Sequence, residues 1–248
     1  MVDTHCHVFL HDYPDICDVI NRMDGNIIIV SGVDDASNRE VLDLCSRFDN
    51  VYGTLGIHPE EASNDYDLDF VRRHINDPKI VAVGEIGLDY YYTKENRDLQ
   101  IDLFCRQIEL ALEFGKPIVV HSRDAISDTY DIIKRYNIGA RTDIHCFSGS
   151  LEMAHEFVKL GCKLGIGGVL TFKNASRLKE VVGGIDISNL LLETDSPYMT
   201  PEPFRGKRNE PYNIVYVARM ISEIKNISFD DVLKITKENS FNLFDFNK

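Results

Sequence analysis

Met1-Val2-Asp3-Thr4-His5-Cys6-His7-Val8-Phe9 opens the chain with a short β-rich run at residues 2–8, and its reading decides the fold because seven more runs of the same kind come after it. They fall at residues 26–30, 51–56, 80–84, 117–120, 143–147, 162–167 and 190–193, with helix-length amphipathic stretches between most of them. Strands alternating with helices predict a parallel sheet. Eight such units in 248 residues predict closure into a barrel rather than an open doubly wound sheet. The expected class is therefore α/β, a (β/α)8 TIM-type barrel, with one domain spanning residues 1–248, since no linker, short-period repeat or low-complexity stretch marks a second.

The helical half of the pattern is clearest at residues 95–114, where Ile101, Phe104, Ile108 and Ala111 recur at steps of three and four, and Leu103, Leu110 and Phe114 widen the stripe. Gly115 and Pro117 end it. Leu151, Ala154, Phe157 and Val158 repeat the pattern before Gly161, and Ser228 with Asp231 predicts a capped last helix running to Asn239.

Composition narrows the class of function. With 44% hydrophobic and 27% charged residues the chain can bury a core, and the disordered and fibrous classes are excluded. A net charge of −13 argues against coating duplex nucleic acid through a broad basic face. It leaves open an enzyme that binds a strand end, where divalent metals supply local positive charge. The N-terminus lacks a basic, apolar and cleavage-site succession and no apolar run reaches ~18 residues, so a cytoplasmic location without membrane attachment is expected. Cys6, Cys17, Cys45, Cys105, Cys146 and Cys162 are scattered without a CxxC pair, the pattern of reduced packing thiols.

The chemistry lies at the strand ends. His5 and His7 are two apart in a strand, so both imidazoles share a face while Cys6 takes the other. Alone, the pair reads as metal ligands or as core histidines. Glu85 in Gly84-Glu85-Ile86-Gly87-Leu88-Asp89, His121, His145 and Asp195 then stand at the ends of later runs. In a barrel the carboxyl ends of different strands converge on one face, and buried charges without partners are costly, which favours ligands over core. Imidazole mixed with carboxylate suits zinc, manganese, iron or magnesium rather than a thiolate-selected metal. Six donors exceed what a single open catalytic ion takes. The expected assignment is two divalent ions, His5, His7 and Asp195 holding one, His121 and His145 the other, and Glu85 bridging.

Those residues sit in Val2-Asp3-Thr4-His5-Cys6-His7, Gly84-Glu85-Ile86-Gly87-Leu88-Asp89-Tyr90-Tyr91, His121-Ser122-Arg123-Asp124-Ala125, His145-Cys146-Phe147-Ser148-Gly149, Glu193-Thr194-Asp195-Ser196-Pro197-Tyr198 and Arg205-Gly206-Lys207-Arg208-Asn209-Glu210-Pro211. In that order, over almost the whole chain, they resemble the successive signatures of the TatD deoxyribonuclease family. The resemblance implies a metal-dependent hydrolase of the amidohydrolase-like barrel superfamily acting on DNA phosphodiesters, as a 3′-to-5′ exonuclease on single-stranded ends. It places the six ligands on the family's metal positions. The chain departs from the family at Gly56-Ile57-His58-Pro59-Glu60, where a second histidine is often present, and at Pro201-Glu202-Pro203-Phe204, where other members carry histidine.

Zinc, magnesium or manganese would activate a water for in-line attack on phosphorus, with Asp195 and Glu85 as the catalytic carboxylates. Substrate contacts are expected from Arg205, Lys207 and Arg208, which put three positive charges in four residues after the last strand. Each can also be a solvated residue paired with a nearby carboxylate. Arg123 and His58 are further candidates, and Tyr90, Tyr91 and Tyr92 can stack on bases or simply pack. His11, His74 and His155 show no partner pattern. No obligate protein partner is implied. The competing reading is a sister hydrolase on the same scaffold, acting on a small amide, an ester, a phosphotriester or an aminoacyl-tRNA. A non-catalytic metal-binding or nucleic-acid-binding module is the third, and it would not need an open two-ion site.

Overall fold

The computed structural model describes residues 1–63, 67–91 and 95–246. The strands are β1 (Val2–Cys6), β2 (Ile27–Ser31), β3 (Val51–Leu55), β4 (Ile80–Asp89), β5 (Ile118–Arg123), β6 (Thr142–Ile144), β7 (Lys163–Ile166) and β8 (Leu190–Leu192). All neighbouring pairs are parallel and the order is β1-β2-β3-β4-β5-β6-β7-β8. Thr4 Oγ1 donates to Leu192 O at 3.1 Å and Asp195 N to His5 O at 3.0 Å, so the last strand returns to the first. The architecture is a nearly closed (β/α)8 barrel.

The helices α1 (Ile16–Asn21), α2 (Asp35–Arg47), α3 (Asp69–His74), α4 (Arg97–Phe114), α5 (Ile126–Tyr136), α6 (Leu151–Lys159), α7 (Ser176–Gly184), α8 (Ile214–Lys225) and α9 (Phe229–Leu243) alternate with the strands. Among the described residues no helix is long and apolar enough to cross a membrane. Strand alternation divides the apolar side chains into two cores. Ile28, Val30, Ile118 and Val120 face the helices, whereas Ile29, Val81, Val119 and Leu191 fill the barrel with Phe244 and Phe246 from the end of the chain. Phe244 is 1% exposed, and a bulky ring in such a place stabilises a fold by about 3–5 kcal/mol over alanine. The six cysteines are free, with Cys6, Cys45 and Cys162 buried and Cys17 exposed.

Several boundaries shift from the sequence expectation, and the shifts at β4, β6 and α9 have a clear physical cause. β4 runs to Asp89 rather than ending near Gly84, because β5 also continues and pairs Gly87 with His121 and Asp89 with Arg123. Gly87 has φ 139°, and a Cβ there would lie 2.0 Å from His121 O, so this glycine permits the close pairing instead of ending the strand. β6 is shorter than residues 143–147, since Cys146 has φ 47° and the chain leaves the sheet at His145. α9 continues past Asn239, whose side chain is buried and donates to Ile187 O and Leu190 O at 2.8 Å each.

Two glutamines on the inner face of α4 brace the backbone at the open end of the barrel. Gln107 accepts from Ile57 N at 2.8 Å and donates to Ile57 O at 2.9 Å, and Gln100 clasps the Asp89 peptide in the same manner at 2.8 Å for each bond. Both are buried and satisfied by backbone, which fixes the loop before His58 and the end of β4.

Candidate metal centre

One side of the centre is built from the ends of β1 and β2. The Ser31 hydroxyl is hydrogen-bonded to His5 Nδ1 at 3.1 Å, and His7 Nδ1 donates to Ser31 O at 3.0 Å. Because a carbonyl only accepts, His7 carries its proton on Nδ1 and turns the Nε2 lone pair inward. His5 Nε2 and His7 Nε2 lie 3.0 Å apart, at 3.4 and 3.3 Å from Glu85 Oε2 and at 3.7 and 3.6 Å from Asp195 Oδ1. Donors bonded at about 2.1 Å to one tetrahedral ion stand about 3.4 Å from each other, so the two imidazoles lie at close to that spacing from each carboxylate oxygen.

The other side surrounds Glu85 Oε1, which lies 3.0 Å from His121 Nδ1, 3.2 Å from His145 Nε2 and 3.6 Å from His58 Nε2. Glu85 thus touches five imidazoles while only 3% of it is exposed. Among the described residues, ligand atoms cluster within 4.8 Å in three overlapping groups: His5, His7 and Glu85; His5, His145 and Asp195; His58, Glu85 and His121. The six ligands expected from sequence come together, and His58 joins them. Behind His121, Asp89 Oδ2 lies 2.9 Å from Nε2 while Oδ1 accepts from Tyr91 N at 2.9 Å. A carboxylate behind a histidine orients the ring and raises its basicity as a ligand.

Burial and the neighbouring groups together set the protonation states. It pulls His5 well below the usual imidazole value, with His145 adding to the effect, so the ring is a neutral donor. For His121 burial acts downward, but hydrogen bonds to Asp89 and Glu85 outweigh it and raise the ring to about 9. Burial favours protonation of Glu85, yet His145, His5 and His58 overcome it and hold the carboxyl well below its usual range. Burial lifts Asp195 to about 6 against the pull of His145 and His7. Asp195 has φ 54°, a left-handed conformation that aspartate tolerates better than most residues, and its N–H bond to His5 O ties it to β1.

A second layer of carboxylates lies beneath. Asp3 accepts from Thr194 N at 2.9 Å and Thr194 Oγ1 at 2.6 Å, and Glu193 Oε1 accepts from Cys146 N at 2.7 Å and faces His145 Nδ1 at 3.5 Å. Among the described residues, both oxygens of buried Asp143 and Glu193 Oε2 lack a hydrogen-bond partner. Burial, with Glu193 nearby, raises Asp143 well above the usual carboxylate value.

The centre opens into a cleft of about 880 Å³ whose walls include His7, His58, His121, Arg123 and Tyr198. Arg123 stacks its guanidinium 3.6 Å from the Tyr91 ring centre. Arg205, Lys207 and Arg208 are not among the lining residues. Arg205 lies over Phe172 at 4.1 Å and Lys207 over Phe204 at 5.5 Å. Arg208 donates to Asp12 O at 2.7 Å and Asp15 Oδ1 at 2.9 Å, with Tyr13 under its guanidinium at 4.5 Å. Tyr90 packs and donates to Asp128 Oδ2 at 2.7 Å, Tyr91 is exposed, and Tyr92 lies outside the described residues.

Sequence reasoning passed over Asp89, Ser31, Glu193 and His11, which lines the cleft with its Nε2 3.0 Å from Asp12 Oδ2. Asp89 was within reach of it, because Glu85, Gly87 and Asp89 alternate along one strand and so share a face. Ser31 and Glu193 carry no spacing that separates them from ordinary strand residues.

Comparison with known proteins agrees with this geometry. The sequence model of the family described as TatD related DNase matches residues 2–245. A Bacillus subtilis (strain 168) protein described as the uncharacterized metal-dependent hydrolase YabD is 41% identical over 254 residues, covering 100% of both chains. The Escherichia coli (strain K12) protein described as the uncharacterized metal-dependent hydrolase YcfH is 34% identical over 255 residues, covering 98% of this chain and 95% of the relative. The crystal structure of YjjV, a TatD homolog from Escherichia coli K12, superposes with a TM-score of 0.90 at 31% identity, covering 98% of this chain and 97% of that one.

Proposed function

The chain belongs to the TatD-related DNase family of metal-dependent hydrolases, and from that premise we propose that it is a two-metal deoxyribonuclease, cleaving phosphodiesters from the 3′ end of single-stranded DNA. The observation that carries the reading is the single buried carboxylate of Glu85 lying between two sets of imidazoles at the open end of the barrel. His5, His7 and Asp195 would hold one divalent ion and His121 and His145 the other, with the Glu85 carboxylate, which faces both sets of imidazoles, shared between them. Such ions, zinc, magnesium or manganese, would supply Lewis acidity there, making a water acidic enough to give hydroxide near neutral pH. The Asp195 carboxylate, which lines the cleft 3.6 Å from His7 Nε2, would orient the attacking water and accept its proton. Ser31 and Asp89 hold the rings of His5, His7 and His121 in place through the reaction. Arg123 and His58, both facing the cleft, contact the non-bridging oxygens.

Digestion of 5′-labelled single-stranded DNA by metal-stripped protein refilled with magnesium, manganese or zinc tests this. The expected result is a metal-dependent ladder shortening from the 3′ end. Cleavage of a small ester or amide with no action on DNA would favour the sister-hydrolase reading instead.

A further inference from the structure

The mouth of the cleft carries the wrong charge for a polyanion. Its walls present Asp12, Asp34, Glu40, Glu60 and Glu61 outside the centre itself, and among the described residues the guanidinium of Arg123 alone stands against them. Glu60 and Glu61 lie on a 3-10 turn at Pro59–Glu61, and the Glu60 side chain is 49% exposed. Of the nearby cations, Arg208 sits beside Asp12, donating to its backbone O and to Asp15, while Arg22 pairs with Glu210 and Arg205 lies against Phe172, and none of the three lines the cleft. The chain as a whole adds a net charge of −13.

A phosphate seated at the metal centre is compensated there, but every further phosphate of a long strand has to pass over this rim. A like charge about 7 Å away in water-like surroundings disfavours each such phosphate by about threefold. We propose, resting on the nuclease reading above, that the acidic rim makes short single-stranded oligonucleotides and dinucleotides the preferred substrate, by excluding long strands electrostatically. Two consequences separate this from the behaviour of a basic-groove nuclease. The discrimination lies in KM rather than in kcat, because the rim acts before the phosphodiester reaches the centre. Monovalent salt also acts in the opposite sense: counterion release makes ordinary nucleic-acid binding weaker as salt rises, whereas screening of a repulsive rim makes binding of the long strand stronger.

The test measures kcat and KM separately for the metal-loaded protein on a thymidine dinucleotide and on a long oligothymidylate, at fixed divalent concentration, from about 50 mM to about 300 mM monovalent salt, the range over which the Debye length shortens appreciably. The same pair is run with Glu60→Gln/Glu61→Gln and with Glu61→Gln alone. The expected outcome is a rise in kcat/KM of roughly three- to tenfold for the long strand with salt, carried by KM, with the dinucleotide changing less than about twofold. The double variant should raise the long strand several-fold at low salt and leave the dinucleotide nearly unchanged. A long strand that is preferred at low salt and loses ground as salt rises overturns the proposal, as does an unchanged ratio of the two substrates in both variants. If the wild type cleaves neither substrate with any metal, the nuclease reading itself fails and the proposal falls with it.

Discussion

Replacing Asp89 with asparagine separates the ligand sphere from the residues that hold it. Asp89 Oδ2 lies 2.9 Å from His121 Nε2, and the His121 Nδ1 is the atom turned to Glu85. The amide keeps an oxygen for the Tyr91 N–H, so the loop after β4 should survive and the melting temperature of the metal-free protein should barely move. Two effects on metal binding then oppose each other. Losing the carboxylate behind the histidine weakens the ligand by about 10- to 100-fold, or about 1.4–2.7 kcal/mol. The same change removes one of the two hydrogen bonds that raise His121 to about 9, so protons compete less for the ring. The proton effect is present only below that pKa. The deficit in affinity should therefore be largest near pH 9 and shrink toward pH 7, a pattern that generalised misfolding does not produce. Competition of the protein with a chromophoric chelator for zinc across that range measures it. Equal affinity for wild type and Asp89→Asn at every pH would refute the placing of Asp89 behind a ligand.

The same geometry sets other expectations. Asp195→Asn should retain the fold and metal-free stability yet lose about 100-fold or more in kcat, read by steady-state hydrolysis of a chromogenic phosphodiester. His121 is protonated below about 9 and must lose that proton to bind a metal, so zinc uptake at pH 7 should release protons to a weakly buffered indicator, and affinity should fall by up to about tenfold per unit as pH drops below 9. Uptake without proton release would remove His121 from the ligands. Arg208→Ala should change KM for DNA less than about twofold and lower the melting temperature by no more than about 2 °C, because the guanidinium is engaged by Asp12 O, Asp15 and Tyr13 away from the cleft. Under native conditions an aromatic disulfide reagent should label exposed Cys17 well before buried Cys45 and Cys162, whose thiols burial pushes up to about 12.

How much of the molecule was legible in the sequence varies with the physics involved. The barrel was readable because each parallel strand is buried on both faces and so stands out as a compact apolar run, while α4 announces itself through Ile101, Phe104, Ile108 and Ala111. The convergence of His5, His7, Glu85, His121, His145 and Asp195 was readable because a barrel gathers strand ends. Three kinds of feature were not. Gln100, Gln107 and Asn239 look like surface polar residues, yet each is buried and spends its side chain on a backbone peptide near in space and distant in sequence. The continuation of β4 past residue 84 was hidden because it runs through Gly87, a residue weak in strands by propensity that here permits close strand pairing. The destination of Arg205, Lys207 and Arg208 depended on which partners the loop meets, and Asp15 and the aromatic rings of Tyr13, Phe172 and Phe204 are not predictable from their spacing.

The most direct test of the proposed two-ion centre is a titration of metal-stripped protein with manganese or zinc, following bound metal by elemental analysis and phosphodiesterase turnover in the same samples. The expected result is two ions bound per chain, with turnover rising only as the second is added. Full activity with a single equivalent, and no further binding beyond it, would contradict the bridging role of Glu85 and the two-ion centre.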